Sequence, residues 1–392
     1  MDVRLVREVS SAGDYHRSVN FRVGSDAWKP LLPTWNNRIP AIRSQKECSP
    51  SLTELYSPIT LEELREVDSD DVAQASLIRR LLTPQAGIDG LAVMKVLVTE
   101  GDRVTDTDLR YLVDLLPPPG CPLTAVPLVY HYHMTPTGRA RADRPVDLDR
   151  YFDVCKRFLE FSASKPANHN LALTVPSNVP HSRIPDLLRL YKDIKTPIAI
   201  IDAFGSTTRD RYPQLRALTG DGIAFGKGKF SNLKEKHGEN FAVYSFDSKP
   251  SSGRADVVAA QNLLQLDAGY SSFGPLRSPR TMIKRSPTTP PPKPPRILAH
   301  DKLCYQRSNL PGALDDLRQW HVKRNTGRRT ATEILADRRC FENESIIHAA
   351  RALDVWAASG TLSKELGKKN LIATDLKLLR RRNGQTRQRT LD

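Results

Sequence analysis

The chain has 392 residues, 39% of them hydrophobic and 26% charged, which is enough to bury a sizeable core. No run approaches the roughly 18 apolar residues of a spanning helix, and the five cysteines, Cys48, Cys121, Cys155, Cys304 and Cys340, are scattered without a CxxC pair, so a dense disulfide framework and zinc-ribbon spacing are both excluded. The net charge of +15 is uneven: residues 275–392 hold 25 Lys and Arg against 11 Asp and Glu, a net of +14, whereas residues 1–274 hold 34 against 33. A concentrated positive field of this kind favours an anionic polymer, most simply nucleic acid, DNA or RNA.

The first stretch, MDVRLVREVSSAGDYHR, carries acidic residues early and has no apolar h-region. It does not read as a secretory signal, and the cytoplasm is the expected compartment. Residues 1–60 are rich in Pro, Ser, Trp and Asn and read as an arm of short extended pieces, broken at Pro30, Pro33 and Pro40 and packed on the next domain through Trp28 and Trp35. The segment that follows, SPITLEELREVDSDDVAQASLIRRLL, reads as one or two helices, with Ser57 or Thr60 as cap and Glu62 and Glu63 in the first turn.

From about residue 88 apolar runs alternate with amphipathic ones. LAVMKVLVTEGD (91–102), PLTAVPLVYHYH (122–133), NLALTVPSN (170–178), TPIAIID (196–202), GIAFGKG (222–228) and FAVYSFDS (241–248) read as strands. Helix-like segments, among them one capped near Thr105 and one over Asp147–Ser164, separate them. SSFG (271–274) reads as a seventh strand, and one more in the N-terminal arm would bring the count to eight. The expected fold is α/β: a TIM-barrel-like (β/α) domain over residues 61–274, with an open doubly wound sheet as the alternative. A Pro-rich basic linker (275–298) and a basic α-helical region (299–392) follow, ending in RRRNGQTRQRTLD, where Arg380, Arg381 and Arg382 are candidate nucleic-acid contacts.

In parallel sheets ligands sit at the carboxyl ends of the strands. Those ends carry Glu100, Asp102, His131, His133, Ser177, Asn178, Asp202, Asp247 and the pair Ser271 and Ser272. Asp202 and Asp247 close the apolar runs IAIID and VYSFD, and a carboxylate placed there must be paired or protonated. They are the candidate catalytic residues, as nucleophile or general base, with Glu100, Asp102 and Asn178 as candidate substrate-binding groups. His131 and His133 are two apart on a strand, so period-two geometry puts both imidazoles on one side, as a divalent metal requires, with Asp202 or Asp247 as third ligand. The alternative is a hydrogen-bonding histidine pair. GDGIAFGKGKF (220–230) sets Lys227 and Lys229 among four glycines; it suits phosphate contact but is neither a Walker A loop nor GxGxxG, and a flexible turn is the alternative. No stretch identifies a cofactor.

The order GIAFGKG, FAVYSFD, AAQNLLQLDAG, YSSFG, followed by LDDLRQWHVKRN, resembles the tRNA-guanine transglycosylase superfamily, including its DNA-modifying 7-deazaguanine branch. The resemblance covers about a quarter of the chain and implies a TIM barrel, base exchange at a glycosidic bond, and an aspartate nucleophile. Two features depart from that pattern. The position matching the family's nucleophile is Gly274, and the zinc cysteines are missing, with only His300, Cys304 and His321 nearby. Three functions therefore compete: a nucleic-acid enzyme using Asp202 and Asp247, a metal-dependent hydrolase built on His131 and His133, and a non-catalytic nucleic-acid-binding scaffold.

Overall fold

The structure, a computed structural model, describes all residues except 12–13, 37–51, 69, 73–88, 116–120, 135–139, 165–169, 207, 221–231, 250–254, 275–293, 300, 325–326, 328–329, 370, 376 and 378–392. The glycine-rich stretch with Lys227 and Lys229, most of the Pro-rich linker, and Arg380 to Arg382 lie outside the described residues.

The chain is α/β, built on a ten-stranded sheet. In spatial order its strands are β14 (Ser272–Phe273), β12 (Ala242–Phe246), β11 (Ile198–Asp202), β10 (Leu171–Val175), β7 (Leu123–Ala125), β6 (Asp89–Val98), β5 (Leu52–Thr60) and β4 (Trp35–Asn36). All neighbours in that path run parallel. β8 (Leu128–Met134) extends the line of β7 along β6, and β9 (Ala140–Pro145) turns back on it antiparallel. At the β14 edge the Thr34 amide donates to the Phe273 carbonyl (3.0 Å), and Ser272 Oγ donates to the Leu32 carbonyl (2.7 Å). Residues 32–34 lead directly into β4, the strand at the other edge of the sheet.

β6, β10, β11 and β12 are buried on both faces and mostly apolar, as strands covered on two sides must be, and period two sorts their residues into two cores. Ala92, Met94, Val96 and Val98 of β6 join Ala199, Ile201 and Val243 against the helices Asp106–Leu115, Leu148–Ser162 and Ile184–Leu190. Leu91, Val93 and Leu97 join Ile198, Ile200, Ala242, Tyr244 and Phe246 on the opposite face. Lys95, Asp202 and Phe246 belong by register to this second face.

The helix starts follow their caps. Thr60 and Glu63 form a reciprocal capping box at the helix Leu61–Asp68 (3.1 and 3.0 Å), and Asp147 accepts from the Arg150 amide (2.9 Å). The first 30 residues are more regular than expected. β1 (Asp2–Ser11) and β2 (Asp14–Arg22) form a long hairpin, and β3 (Lys29–Pro30) pairs with β2. Its contacts fall where the parallel strands begin: Met1 on Asn170 (2.6 Å), Leu5 on Asn240 (3.0 Å), Lys29 on Asp89 (2.9 Å), and Arg17 on the Phe241 carbonyl. Trp28 lies against the guanidinium groups of Arg4 and Arg22 of the hairpin.

A further core joins the helix Gln261–Asp267 to the long helix Arg338–Ala358, to Leu362 and Leu366, and to the small antiparallel sheet of β13 (Val257–Ala259), β16 (Cys304–Arg307) and β15 (Arg296–Ala299). Among the described residues no helix is long and apolar enough to cross a membrane.

Candidate functional site

Lys95 is the one charged residue in the apolar run LAVMKVLV of β6, and by period two it follows Val93 toward the inner face. Asp202 follows Ile200 in the same way at the last position of β11, and Asp247 stands just beyond β12. The three meet. Lys95 Nζ lies 3.1 Å from Asp202 Oδ2 and 3.2 Å from Asp247 Oδ2, with all three residues 2% exposed or less. The Tyr130 hydroxyl donates to Asp202 Oδ2, and the Phe204 amide donates to Oδ1 (3.0 Å). Four rings surround the ammonium, their centroids 4.7 Å (Tyr130), 4.9 Å (Phe204), 5.0 Å (Phe246) and 5.9 Å (Tyr56) from Nζ.

The electrostatics follow from this enclosure. Burial alone would lower the Lys95 pKa, but the carboxylates of Asp202 and Asp247 outweigh it and carry it well above the usual lysine range. Burial, followed by the Asp202 charge, likewise raises Tyr130 far above an ordinary phenol. The site therefore holds a retained proton beside two carboxylates, in surroundings where such charges act strongly.

The backbone over the site is held in an unusual form. Phe204 and Asp247 both adopt positive φ, 48° and 54°, which costs a residue with a side chain about 1–2 kcal/mol. The Gly205 amide donates to the Asp247 carbonyl (2.7 Å), and the Ala203 amide donates to the Phe246 carbonyl (2.8 Å), tying the two turns together. Phe204 stacks on Tyr130 at 4.9 Å and covers the ammonium.

A second polar layer lies on the same face. Glu54, fully buried, accepts from the Tyr244 hydroxyl (2.5 Å), which also meets Thr34 Oγ1 (2.5 Å). A Cβ at Gly274 would stand 1.9 Å from Glu54 Oε2 and 2.3 Å from the Tyr244 hydroxyl. A side chain at position 274 would therefore require the Glu54 carboxylate and the Tyr244 hydroxyl to move aside.

The other sequence candidates are elsewhere. Glu100 is 78% exposed and paired with Arg144, Asp102 accepts from the Thr99 amide (2.8 Å), and Asn178 donates to the Val146 carbonyl (2.8 Å). No described contact joins these three to Lys95. The metal reading of His131 and His133 lacks its third ligand: His133 faces Asp143, the residue that bulges from β9, at 3.8 Å, and Asp202 is taken up by Lys95 and Tyr130. Among the described residues no group of three or more His, Cys, Asp or Glu is placed to hold a metal. Near the expected zinc position, the ring of His321 meets the Ile334 carbonyl at 3.2 Å, and Cys304 is a free, buried thiol. Lys95, Tyr130, Phe204 and Glu54 were missed by reading strand ends alone. The signal for Lys95 and Glu54 was a charge inside a strand that is otherwise apolar or uncharged.

No family model matches the chain, and no curated protein does. Among solved structures that match is a Haloferax volcanii malate synthase, in a pyruvate/acetyl-CoA ternary complex. It is 9% identical over 88% of this chain and 96% of that one, with a TM-score of 0.28, a likeness too slight to carry any argument.

Proposed function

We propose that the chain is an enzyme acting on nucleic acid, with glycosidic-bond chemistry carried by Lys95, Asp202 and Asp247. The single observation behind this reading is the placement of one ammonium within 3.2 Å of two carboxylates at the ends of β11 and β12. The scaffold of the proposal is a TIM barrel. β4, β5, β6, the β7–β8 line, β10, β11, β12 and β14 give eight parallel positions, and the bonds from residues 32–34 to β14 support closure. Carboxyl strand ends are where such barrels hold their chemistry.

In this reading a carboxylate beside Lys95 supports or attacks the anomeric carbon, and the base leaves with the electron pair of the broken bond while the Lys95 ammonium, which keeps its proton, donates a hydrogen bond to it. Asp202 Oδ2 and Asp247 Oδ2 share one nitrogen, so they are no further apart than twice 3.2 Å. That is compatible with the separation of about 5–5.5 Å used in double displacement. Base exchange remains the reaction class that the transglycosylase resemblance suggests, with the carboxylate moved from position 274 to β11 or β12. The polymer would be held by the net +14 of residues 275–392.

The test is base release or exchange from DNA and tRNA, followed by mass spectrometry. Asp202→Asn and Asp247→Asn should each lower turnover by about 10²–10⁴-fold with polymer binding retained. Full turnover in both would end this reading. A second reading, the non-catalytic scaffold, draws on the seal over the centre: Lys95, Asp202 and Asp247 would be an internal ion triad that locks three strands. It expects the same substitutions to lower only the melting temperature.

A further inference from the structure

Lys95, Asp202 and Asp247 can also react with one another. An amine and a carboxyl group join as an amide by losing water, and in solution the step is held back because both groups are charged and hydrated at neutral pH. Here the surroundings remove both obstacles. All three residues are 2% exposed or less, and the rings of Tyr130, Phe204, Phe246 and Tyr56 close round the ammonium. With water excluded, a proton passed from the ammonium to a neighbouring carboxylate leaves a neutral amine and a neutral acid, the pair that an apolar enclosure favours. The raised pKa of Lys95 measures loss of that proton to solvent, not its transfer inside the group.

The two carboxylates differ. Asp202 accepts from the Phe204 amide at Oδ1 (3.0 Å) and from the Tyr130 hydroxyl at Oδ2. Donors so placed draw electron density from Cγ and hold Oδ1 where an oxyanion forms. Lys95 Nζ is 3.1 Å from Asp202 Oδ2, so Cγ lies at most one C–O bond further away, and Asp247 Oδ2 stands 3.2 Å from the same nitrogen. Reactants held in this way gain the rate advantage of an intramolecular step. We infer that Lys95 and Asp202 condense in the folded protein to an amide that ties β6 to β11, with Asp247 carrying the proton. Lys95 gives one proton to Asp247, and the freed lone pair attacks Cγ of Asp202. The tetrahedral carbon then expels Oδ2, which takes the proton held by Asp247 and a second one from the nitrogen and leaves as water. Oδ1 becomes the amide oxygen, Asp247 is again a carboxylate, and the group keeps its single net negative charge. The condensation is independent of the glycosidic reading: a chain that has closed the bond has no ammonium at Lys95, so any base release belongs to the open form, and the bond switches it off.

The test is the intact mass of the full chain under denaturing conditions, read on fresh protein and after prolonged incubation at physiological temperature. The mass should fall below that of the sequence by one water. Trypsin should fail to cut after Lys95 and should release a branched peptide in which residues 81–103 are joined to residues 196–209. Lys95→Met and Asp247→Ala should keep their full mass, whereas Asp202→Asn should lose one ammonia in place of one water, since a carboxamide offers the same Cγ. Full sequence mass in the incubated wild-type chain, a branch at Asp247 in place of Asp202, or the same loss of water in Asp247→Ala overturns the inference. Full mass together with base release sinks the amide alone, and a bonded chain whose open form releases no base removes only the glycosidic reading.

Discussion

Two buried ionisable groups set the residue-scale expectations. Removing Lys95 leaves two facing carboxylates without their cation, the costly way to break a buried ion cluster. Lys95→Met should lose about 3–5 kcal/mol in denaturant unfolding at neutral pH, and combining it with Asp202→Asn and Asp247→Asn should restore much of that. Asp267 is the opposite case. Both its oxygens are buried without partners, and burial pushes its pKa up to about 8 from 3.8. The folded state therefore keeps a proton that the unfolded chain has released, so stability falls as pH rises from about 4 to 8. Asp267→Asn should flatten that slope and stabilise the fold at pH 8 by several kcal/mol, on the order of 5 at most. Unfolding curves at pH 4, 6 and 8 read both quantities.

At the scale of elements, the turn after β11 governs access to Lys95. Phe204 is held at φ 48° with its ring over the ammonium. Phe204→Gly relieves the backbone and removes the cover, since glycine adopts positive φ freely. Hydroxyl-radical oxidation of Tyr130, which is fully buried, should rise by about tenfold in that variant, as expected of a locally opened site. An unchanged yield would mean that other groups make the seal. The strands β6, β7–β8, β10, β11, β12 and β14 and the caps at Thr60 and Thr105 were legible because the sequence states them locally, whereas β13, β15 and β16 fall in segments read as helix or linker, and the expected strand 222–228 lies outside the described residues. The hairpin β1–β2 is masked in the sequence by the Pro and Trp residues that follow it, although Val3 and Leu5 against Phe21 and Val19 alternate as a half-buried ribbon should. Asp202 and Asp247 were legible as strand ends. Lys95 was not, because its meaning depends on partners 107 and 152 positions away that only the sheet brings to it.

For the whole molecule, the unequal charge partition makes polymer binding a salt-dependent quantity. If Arg380, Arg381 and Arg382 each neutralise a phosphate, changing all three to Ala should reduce the slope of log K against log salt by about 2–3 on duplex DNA. A titration of the full chain from low to physiological salt measures it, and an unchanged slope removes these three from the contact.

The bonds that join residues 32–34 to β14 have a consequence for how the chain comes into being. Ser272 and Leu32 are 240 residues apart, so the early part of the chain waits for the late part. During synthesis at about 5–20 residues per second, the edge at β4 stays open for the ten seconds or more it takes to add that span. Non-local pairing of this kind is slow, and open edges invite association with other chains. The hairpin and β5–β6, complete early, give the nascent protein a partial core to hold while its last strand is still being made.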